Sequence, residues 1–303
     1  MIIIDNTYST AEENLAFEAA YFESFTEETL RIWRNPNAVI LGKHQNAYAE
    51  VNLSFCKENN IPILRRISGG GTVFHDLGNI NFSFYRFVDK TNQIRYDDNL
   101  KIITHSLRRL GYDLLVNERH DIYAGEFKIS GNAQHVSRGR ALHHGTILYN
   151  SDMEMLRGSI KKKYGKITDK SVKSFRSKVK NLRDDLNLGT NEEFFEKLYN
   201  SISEFGNKRS VSIEIKNHLK QYQTDTWNLK YGPKFQFESF EPDCPFTITV
   251  CRGGKIGMIE SEHSEIKYIC HDYPAEFDYD QINSYLKSIE SKSAKRMIEI
   301  LFS

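Results

Sequence analysis

The sequence predicts an α+β fold. Strand-like and helix-like segments follow one another without the regular alternation of a doubly wound sheet. Two Ser/Thr-x-x-Glu signatures, far apart in the chain, mark helix starts. No internal repeat or low-complexity stretch suggests a solenoid or a disordered chain. The 303 residues suit one large domain and one small one, with the expected division giving 1–240 and 241–303.

Each element rests on a local pattern. Ser9 and Glu12 have the form of a capping box, and Leu15, Ala19 and Phe22 recur at helical spacing, so a helix is expected from Thr10 to Glu23. A strand over Leu30–Trp33 leads into AVILGKHQN (Ala38–Asn46), an apolar run that turns at Gly42. Ile61–Leu64 reads as a buried strand, and NFSFYRF (Asn81–Phe87) alternates as a sheet strand should. Asp97 or Asp98 is placed to cap the next helix, whose stripe is Leu100, Ile103, Leu107 and Leu110, and Gly111 stands where its C-terminal stop belongs.

Further strands are expected near Asp113–Glu118 and Ala141–Tyr149. Thr190 with Glu193 opens a helix carrying Phe194, Phe195, Leu198, Tyr199, Ile202 and Phe205. KYGPKFQFESFEPDCP (Lys230–Pro245) holds three of the six prolines and breaks the pattern. FTITVCRGGKIGMIE then reads as a hairpin turning on Gly253 and Gly254, followed by one or two helices.

Composition narrows the function. With 39% hydrophobic and 27% charged residues the chain is neither disordered nor membrane-embedded. Lysine plus arginine (41) nearly equal aspartate plus glutamate (40), so no global field points to nucleic acid or anionic lipid. No apolar run approaches the ~18 residues of a membrane span. The start, MIIIDNTYST, lacks a basic region and is interrupted by Asp5, so a cytoplasmic protein is expected. Cys56, Cys244, Cys251 and Cys270 have neither zinc-site nor disulfide-framework spacing and read as reduced thiols.

RRISGGGTVFHDLGN (Arg65–Asn79) is the most informative stretch. Gly69, Gly70 and Gly71 leave backbone amides bare for a phosphate or carboxylate, Arg65 and Arg66 bring charge, and Ser68 brings a hydroxyl. The spacing fits neither GxxxxGK[ST] nor GxGxxG, and a bare GGG is equally a flexible surface loop. His75 and Asp76 alone are a weak metal or acid–base hint. In HDIYAGEFKISGNAQ (His120–Gln134), Lys128 between Gly125 and Ser130–Gly131 can reach into a cleft as a point charge suited to phosphate, or simply be solvated. Asp121 near a strand end suits magnesium or a turn cap. HHGTILYN (His143–Asn150) begins polar and continues apolar, and His144 by itself fits a core as well as a site.

Taken together these segments resemble the lipoate–protein ligase family, which shares its mixed-sheet catalytic fold with biotin ligases and lipoyl/octanoyl transferases. The matching stretches are LGKHQN with Glu50–Asn52, RRISGGGTVFHDLGNINFSF, DIYAGEFKISGNAQ, HHGTILYNSDM and KSVKSFRSKVKNL (Lys170–Leu182), in the family's order. The long GGG motif and the KxSG motif are together highly specific. The resemblance implies a biotin/lipoyl ligase catalytic domain with a small C-terminal α+β accessory domain.

It also implies a reaction. Such ligases join lipoic acid to ATP with magnesium, release pyrophosphate, hold lipoyl-AMP, and pass the acyl group to a lysine of a lipoyl carrier. Carriers of this kind are the glycine-cleavage H protein and the acyltransferase subunits of 2-oxoacid dehydrogenases. By resemblance Arg65, Arg66, Ser68, Gly69, Gly70, Gly71, His144 and Gly145 bind lipoate. Thr72, Val73, Phe74, His75, Asp76, Asn79, Asp121, Lys128, Lys173 and Arg176 bind the nucleotide, Lys128 is the catalytic lysine, and Asp121 lies at the metal. A monomer is expected, without nucleic-acid or membrane partners.

The segment Arg157–Arg183 is strongly basic, with Asp169 its only acid, and is expected to close over the nucleotide. Its Lys161–Lys163 run would meet an acidic carrier surface or be a solvated face. The chain departs from the family where His120 replaces an asparagine found in many members. The alternative is a lipoyl/octanoyl transferase that moves the acyl group between carrier proteins without ATP, either through the cysteine nucleophile such transferases use or without a cysteine of its own. No cysteine lies between Cys56 and Cys244, which favours the ligase.

Overall fold

The computed structural model describes residues 1–89, 95–160, 164–175, 177–270 and 273–303, and counts and absences below concern those residues. The largest sheet has six strands in the order Asn132–Ser137, Arg140–Leu148, Asn79–Phe87, Thr29–Arg34, Ile2–Ile4 and Asn207–Lys208. The first four are antiparallel neighbours and the last two join in parallel, so the sheet is mixed. A three-stranded sheet sets Ala38–Leu41 between Ile63–Arg65 and Val73–His75. A meander of Leu115–Val116, Ile122–Ala124 and Phe127–Ser130 forms another. The predicted α+β class is what the chain adopts.

Helices cover both faces of the large sheet. On one, Leu30, Ile32, Phe82 and Phe84 pack against Leu100, Ile103 and Leu107 of the helix Tyr96–Arg109 and Phe194, Leu198 and Ile202 of the helix Asn191–Ile202. On the other, Tyr85 and Leu142 meet Phe17, Tyr21 and Phe22 of the helix Ala11–Ser24. That explains a departure from the sequence reading. Asn79–Phe87 does not alternate, because every residue up to Arg86 is buried.

Local signals explain most boundaries, with some shifts. The first capping box is Thr10 with Glu13, one residue beyond Ser9 and Glu12: both reciprocal bonds form there, and Ser9 only adds a bond to the same glutamate. Such a cap is worth about 1 kcal/mol. Thr190 and Glu193 cap as expected. Asp97 and Asp98 lie inside the first turn of their helix, which begins after Arg95 without a side-chain cap. There they complement the helix dipole. Gly111, at φ +103°, ends that helix.

The proline-rich stretch contains a strand, Phe235–Ser239, whose alternating burial the flanking prolines obscured. It pairs with Gly165–Asp169 on one side and with the hairpin Thr247–Val250 and Ile256–Glu260 on the other. Three helices follow, Ser264–Ile269, Tyr279–Ser288 and Lys292–Phe302, rather than one or two. Their apolar faces close a core with Phe235, Phe237, Phe246 and Ile248, and Tyr48 and Leu53 join it from the N-terminal part. The terminal sheet thus takes two strands from before residue 240. No helix among the described residues is long and apolar enough to cross a membrane.

Candidate active site

The glycine loop is templated by one of two adjacent buried arginines, Arg66. Arg66 donates through Nε to Ser68 Oγ (2.9 Å), through Nη2 to the carbonyls of Gly69 (2.6 Å) and Gly71 (2.7 Å), and through Nη1 to Ile40 O (3.1 Å). Burial lowers its pKa to about 10, which leaves it charged at neutral pH. With two loop carbonyls held by Arg66, the amides of Gly69, Gly70 and Gly71 keep no acceptor among the described residues. They remain available to an anion. Gly70, at φ +85°, makes the turn, and Gly42 must lack a side chain because a Cβ there would overlap the Gly70 carbonyl.

Arg65 does something else. Its guanidinium donates to the carbonyls of Gly42, Lys43, Gln45 and Trp227, between 2.6 and 3.1 Å, and it lines neither of the two cavities described next. It clamps the backbone beneath the loop, and its Nη2 is left without a hydrogen-bond partner among the described residues. Ser68 and Gly69 also stay off the cavity walls. Asp76 does too, since its carboxylate accepts from Gly78 N, Ser151 Oγ and Asp152 N and fixes the turn before Asn79.

The two cavities meet at one wall. The first, of about 260 Å³, is lined by Arg66, Gly70, Gly71, His75, Asp121, His144, Gly145 and Lys173, with Leu15, Trp33 and Ile40. The second, of about 470 Å³, is lined by Phe74, Asn79, Phe127, Leu148, Leu156 and Val179. Thr72, Val73, Lys128, Gly131, Thr146, Ser174 and Phe175 belong to both. The expected lipoate residues that face a cavity all face the first. Those expected at the nucleotide divide, with Phe74 and Asn79 on the second, His75, Asp121 and Lys173 on the first, and Thr72, Val73 and Lys128 on the shared wall.

Lys128 Nζ lies 2.8 Å from Asp121 Oδ1, and the Gly125 turn at φ +60° folds their two strands together. The backbone of Lys128 is pinned by its N–H to Lys178 O at 2.9 Å. Lys173 is bonded to Asp169 (2.7 Å) and Ser171 (3.0 Å) and lines the first cavity. Arg176 and Lys161–Lys163 lie outside the described residues. His120 lines neither cavity; it sits at φ +62°, stacked on Tyr96.

Several contributors were not named from sequence. Glu18, fully buried, accepts from Ser83 Oγ at 2.6 Å and lies 2.9 Å from His144 Nδ1, while His144 Nε2 lies 2.6 Å from Ser68 Oγ. Burial alone would raise the Glu18 carboxyl, but the His144 imidazole and the Ser83 hydroxyl offset it and hold the pKa below the usual value. The signal was present, an acid one residue from Ala19 within an apolar helical stripe. His143 accepts from Asn99 at Nδ1 and donates from Nε2 to Asn132 Oδ1, and burial takes its pKa to about 3, so it is neutral. His75 is likewise lowered to about 3 by burial and accepts from Asn35. Ser174 Oγ accepts from Thr72 N and Gln45 Nε2, tying the basic segment onto the loop.

No group of three His, Cys, Asp or Glu side chains fit to hold a metal occurs among the described residues. The one carboxylate beside Lys128 is Asp121. That donor set suits magnesium carried on phosphate oxygens, which needs only one or two protein carboxylates, and not a resident metal. Cys56, Cys244 and Cys270 are raised by burial to about 11, 12 and 11, and none of the four cysteines lines either cavity.

Residues 10–203 match the lipoyl protein ligase A/B catalytic domain. A lipoate–protein ligase of Bacillus subtilis is 34% identical over 249 residues, 78% of this chain and 75% of that one. A protein of T. acidophilum described as a lipoate protein ligase, solved with bound lipoic acid, superposes with a TM-score of 0.63 at 28% identity over 75% of this chain and 98% of that one. A lipoate–protein ligase A solved with ATP gives 0.62 at 30% identity over 75% and 97%. With a family match over most of its length and a relative one-third identical across three quarters of both chains, this chain belongs to the lipoate–protein ligase family.

Proposed function

We propose that this chain activates lipoic acid with ATP to lipoyl-AMP, releasing pyrophosphate, and transfers the lipoyl group to a lysine of a carrier protein. The observation that carries the reading is the shared wall: one lysine, paired with a buried aspartate, stands where two cavities of different lining meet. The first cavity, with its bare loop amides, is the lipoate site. The second, larger one takes the nucleotide.

The chemistry follows from that placement. A lipoate carboxylate oxygen attacks the α-phosphorus and pyrophosphate leaves, so two anions must first approach each other. Lys128 offsets the repulsion and stabilises charge developing on the phosphoryl oxygens, while the amides of Gly70 and Gly71 hold the acyl end. Asp121 fixes the lysine's ammonium in place. Magnesium, when bound with the nucleotide, supplies further charge neutralisation, and Asp121 is the carboxylate that would hold it. In the second step the carrier amine attacks the acyl carbonyl, AMP leaves, and Lys128 polarises that carbonyl. Val172, Ser174 and Phe175 wall the first cavity and keep water from the mixed anhydride.

The absence of cysteine from both cavity walls favours this reading over a transferase with an acyl-cysteine. A monomer is proposed, and the four free thiols fit a reducing compartment such as the cytoplasm. The carriers proposed are lipoyl domains of the glycine-cleavage H protein and of dehydrogenase acyltransferases. The division at residue 240 is proposed as functional, the pairing of Phe235–Ser239 with both Thr247–Val250 and Gly165–Asp169 tying the accessory part to the basic segment. The test is lipoylation of an apo lipoyl domain with and without ATP. The ligase reading expects modification only with ATP, and transfer from an octanoylated carrier without ATP would favour the transferase.

A further inference from the structure

A third cleft, of about 520 Å³, borders the same segment and is not used by the chemistry above. It is lined by Lys43, His44, Lys170, Lys234 and Arg252, and by no carboxylate. None of its lysines or its arginine makes an ion pair among the described residues. Nearby cations are treated differently, for Lys173 is paired with Asp169 and Lys230 with Glu276. Lys43, Lys170, Lys234 and Arg252 therefore bring four cations without an ion-pair partner among the described residues into one cleft and set up a positive field there. Such a field attracts an anionic partner.

Two features decide what kind. Lys170, Lys234 and Arg252 are exposed, and no buried polar group converges on a point, so the cleft lacks the enclosed donors of a small-anion site. Rim charges of this sort steer and orient a protein face. The cleft is also joined to the catalytic loop, since Lys43 N–H donates to Ser68 O at 2.8 Å and Val172 N–H to His44 O at 3.2 Å. Lys170 lies two residues before Val172, which lines the lipoate cavity.

We propose that this cleft is the docking surface for the acceptor protein, and that it recognises a face bearing carboxylates near the target lysine. The inference rests on the ligase reading. A protein seated there would lie beside the segment that walls the acyl group, leaving the acceptor lysine a short path to it.

The test uses the full chain with the double variant Lys234→Glu and Arg252→Glu, neither residue belonging to the reaction machinery. Carrier-free lipoyl-AMP formation and transfer to an apo lipoyl domain with an acidic face are measured side by side. The expected result is adenylate formation unchanged, with KM for the domain raised by about ten-fold or more and kcat little altered. The wild-type transfer rate should fall between ~50 and ~300 mM salt, and that dependence should weaken in the variant. A short polyglutamate peptide should compete with the domain but not with ATP or lipoate. An unchanged KM for the domain would overturn the docking proposal while leaving the ligase intact, as would a parallel loss of adenylate formation. No lipoyl-AMP from the wild-type protein would instead overturn the ligase reading itself.

Discussion

Lys128 Nζ sits 2.8 Å from Asp121 Oδ1 across a hairpin whose register shifts between Ile122 and Tyr123. The irregularity sets Lys128 opposite Tyr123 rather than in strict alternation, and Asp121 lies just before the strand. A bulge of this kind re-aims a side chain at small cost. Gly131 completes the arrangement, since a Cβ there would lie 3.1 Å from both Cε and Nζ of Lys128.

Asp121→Asn keeps the shape and removes the charge. A charge-assisted hydrogen bond is worth about 1.5–3 kcal/mol, so kcat for lipoyl-AMP formation should fall by roughly 10- to 100-fold. KM for lipoate should change little, because the loop amides are untouched. Pyrophosphate release measures both.

The two adjacent arginines should separate. Arg65→Met leaves buried carbonyls of Gly42, Lys43 and Gln45 without their donor and should cost about 3 kcal/mol of stability, with KM for lipoate retained below the melting temperature. Arg66→Met should instead raise KM for lipoate, because the loop loses its template. Chemical denaturation and saturation kinetics together decide between these roles.

Gly42 and Gly69 should differ as sharply. Gly42→Ala drives a Cβ into the Gly70 carbonyl and should destabilise by about 2–3 kcal/mol while abolishing activation. Gly69→Ala meets nothing within 4 Å and should behave like the natural chain. A melting curve and an activity assay on each suffice.

His75 and His143 give the protein an acid sensitivity. Both are held neutral by burial with pKa values of about 3, against an ordinary 6.5 in the unfolded chain. The unfolded state takes up protons the folded state refuses, so their contribution is full above about pH 6.5 and is lost as pH falls toward 3. At pH 5 the loss is on the order of 2 kcal/mol for each. Urea unfolding at pH 7.5 and 5 should show it, and His75→Gln should flatten the dependence.

Much of this was legible from residue types and spacing. The helix stripes and the Thr190–Glu193 cap follow from local chemistry, and the GGG and KxSG stretches pointed to the region of the two cavities. What was not legible depended on what lies above and below a residue. The alternation expected of Asn81–Phe87 failed because both sheet faces are covered. Arg65 and Arg66 look alike in sequence, yet one clamps carbonyls beneath the loop and the other templates it. Glu18 could be suspected only as an acid within an apolar stripe, since its partner His144 lies 126 residues away.

The most direct test of the central claim is mass spectrometry of the carrier-free protein with magnesium-ATP and lipoate, comparing the natural chain with Lys128→Ala. Lipoyl-AMP and pyrophosphate should appear with the natural chain and fall by about 100-fold or more in the variant. Equal adenylate from both proteins would contradict the role given to the shared wall, and none from either would contradict ATP-dependent activation.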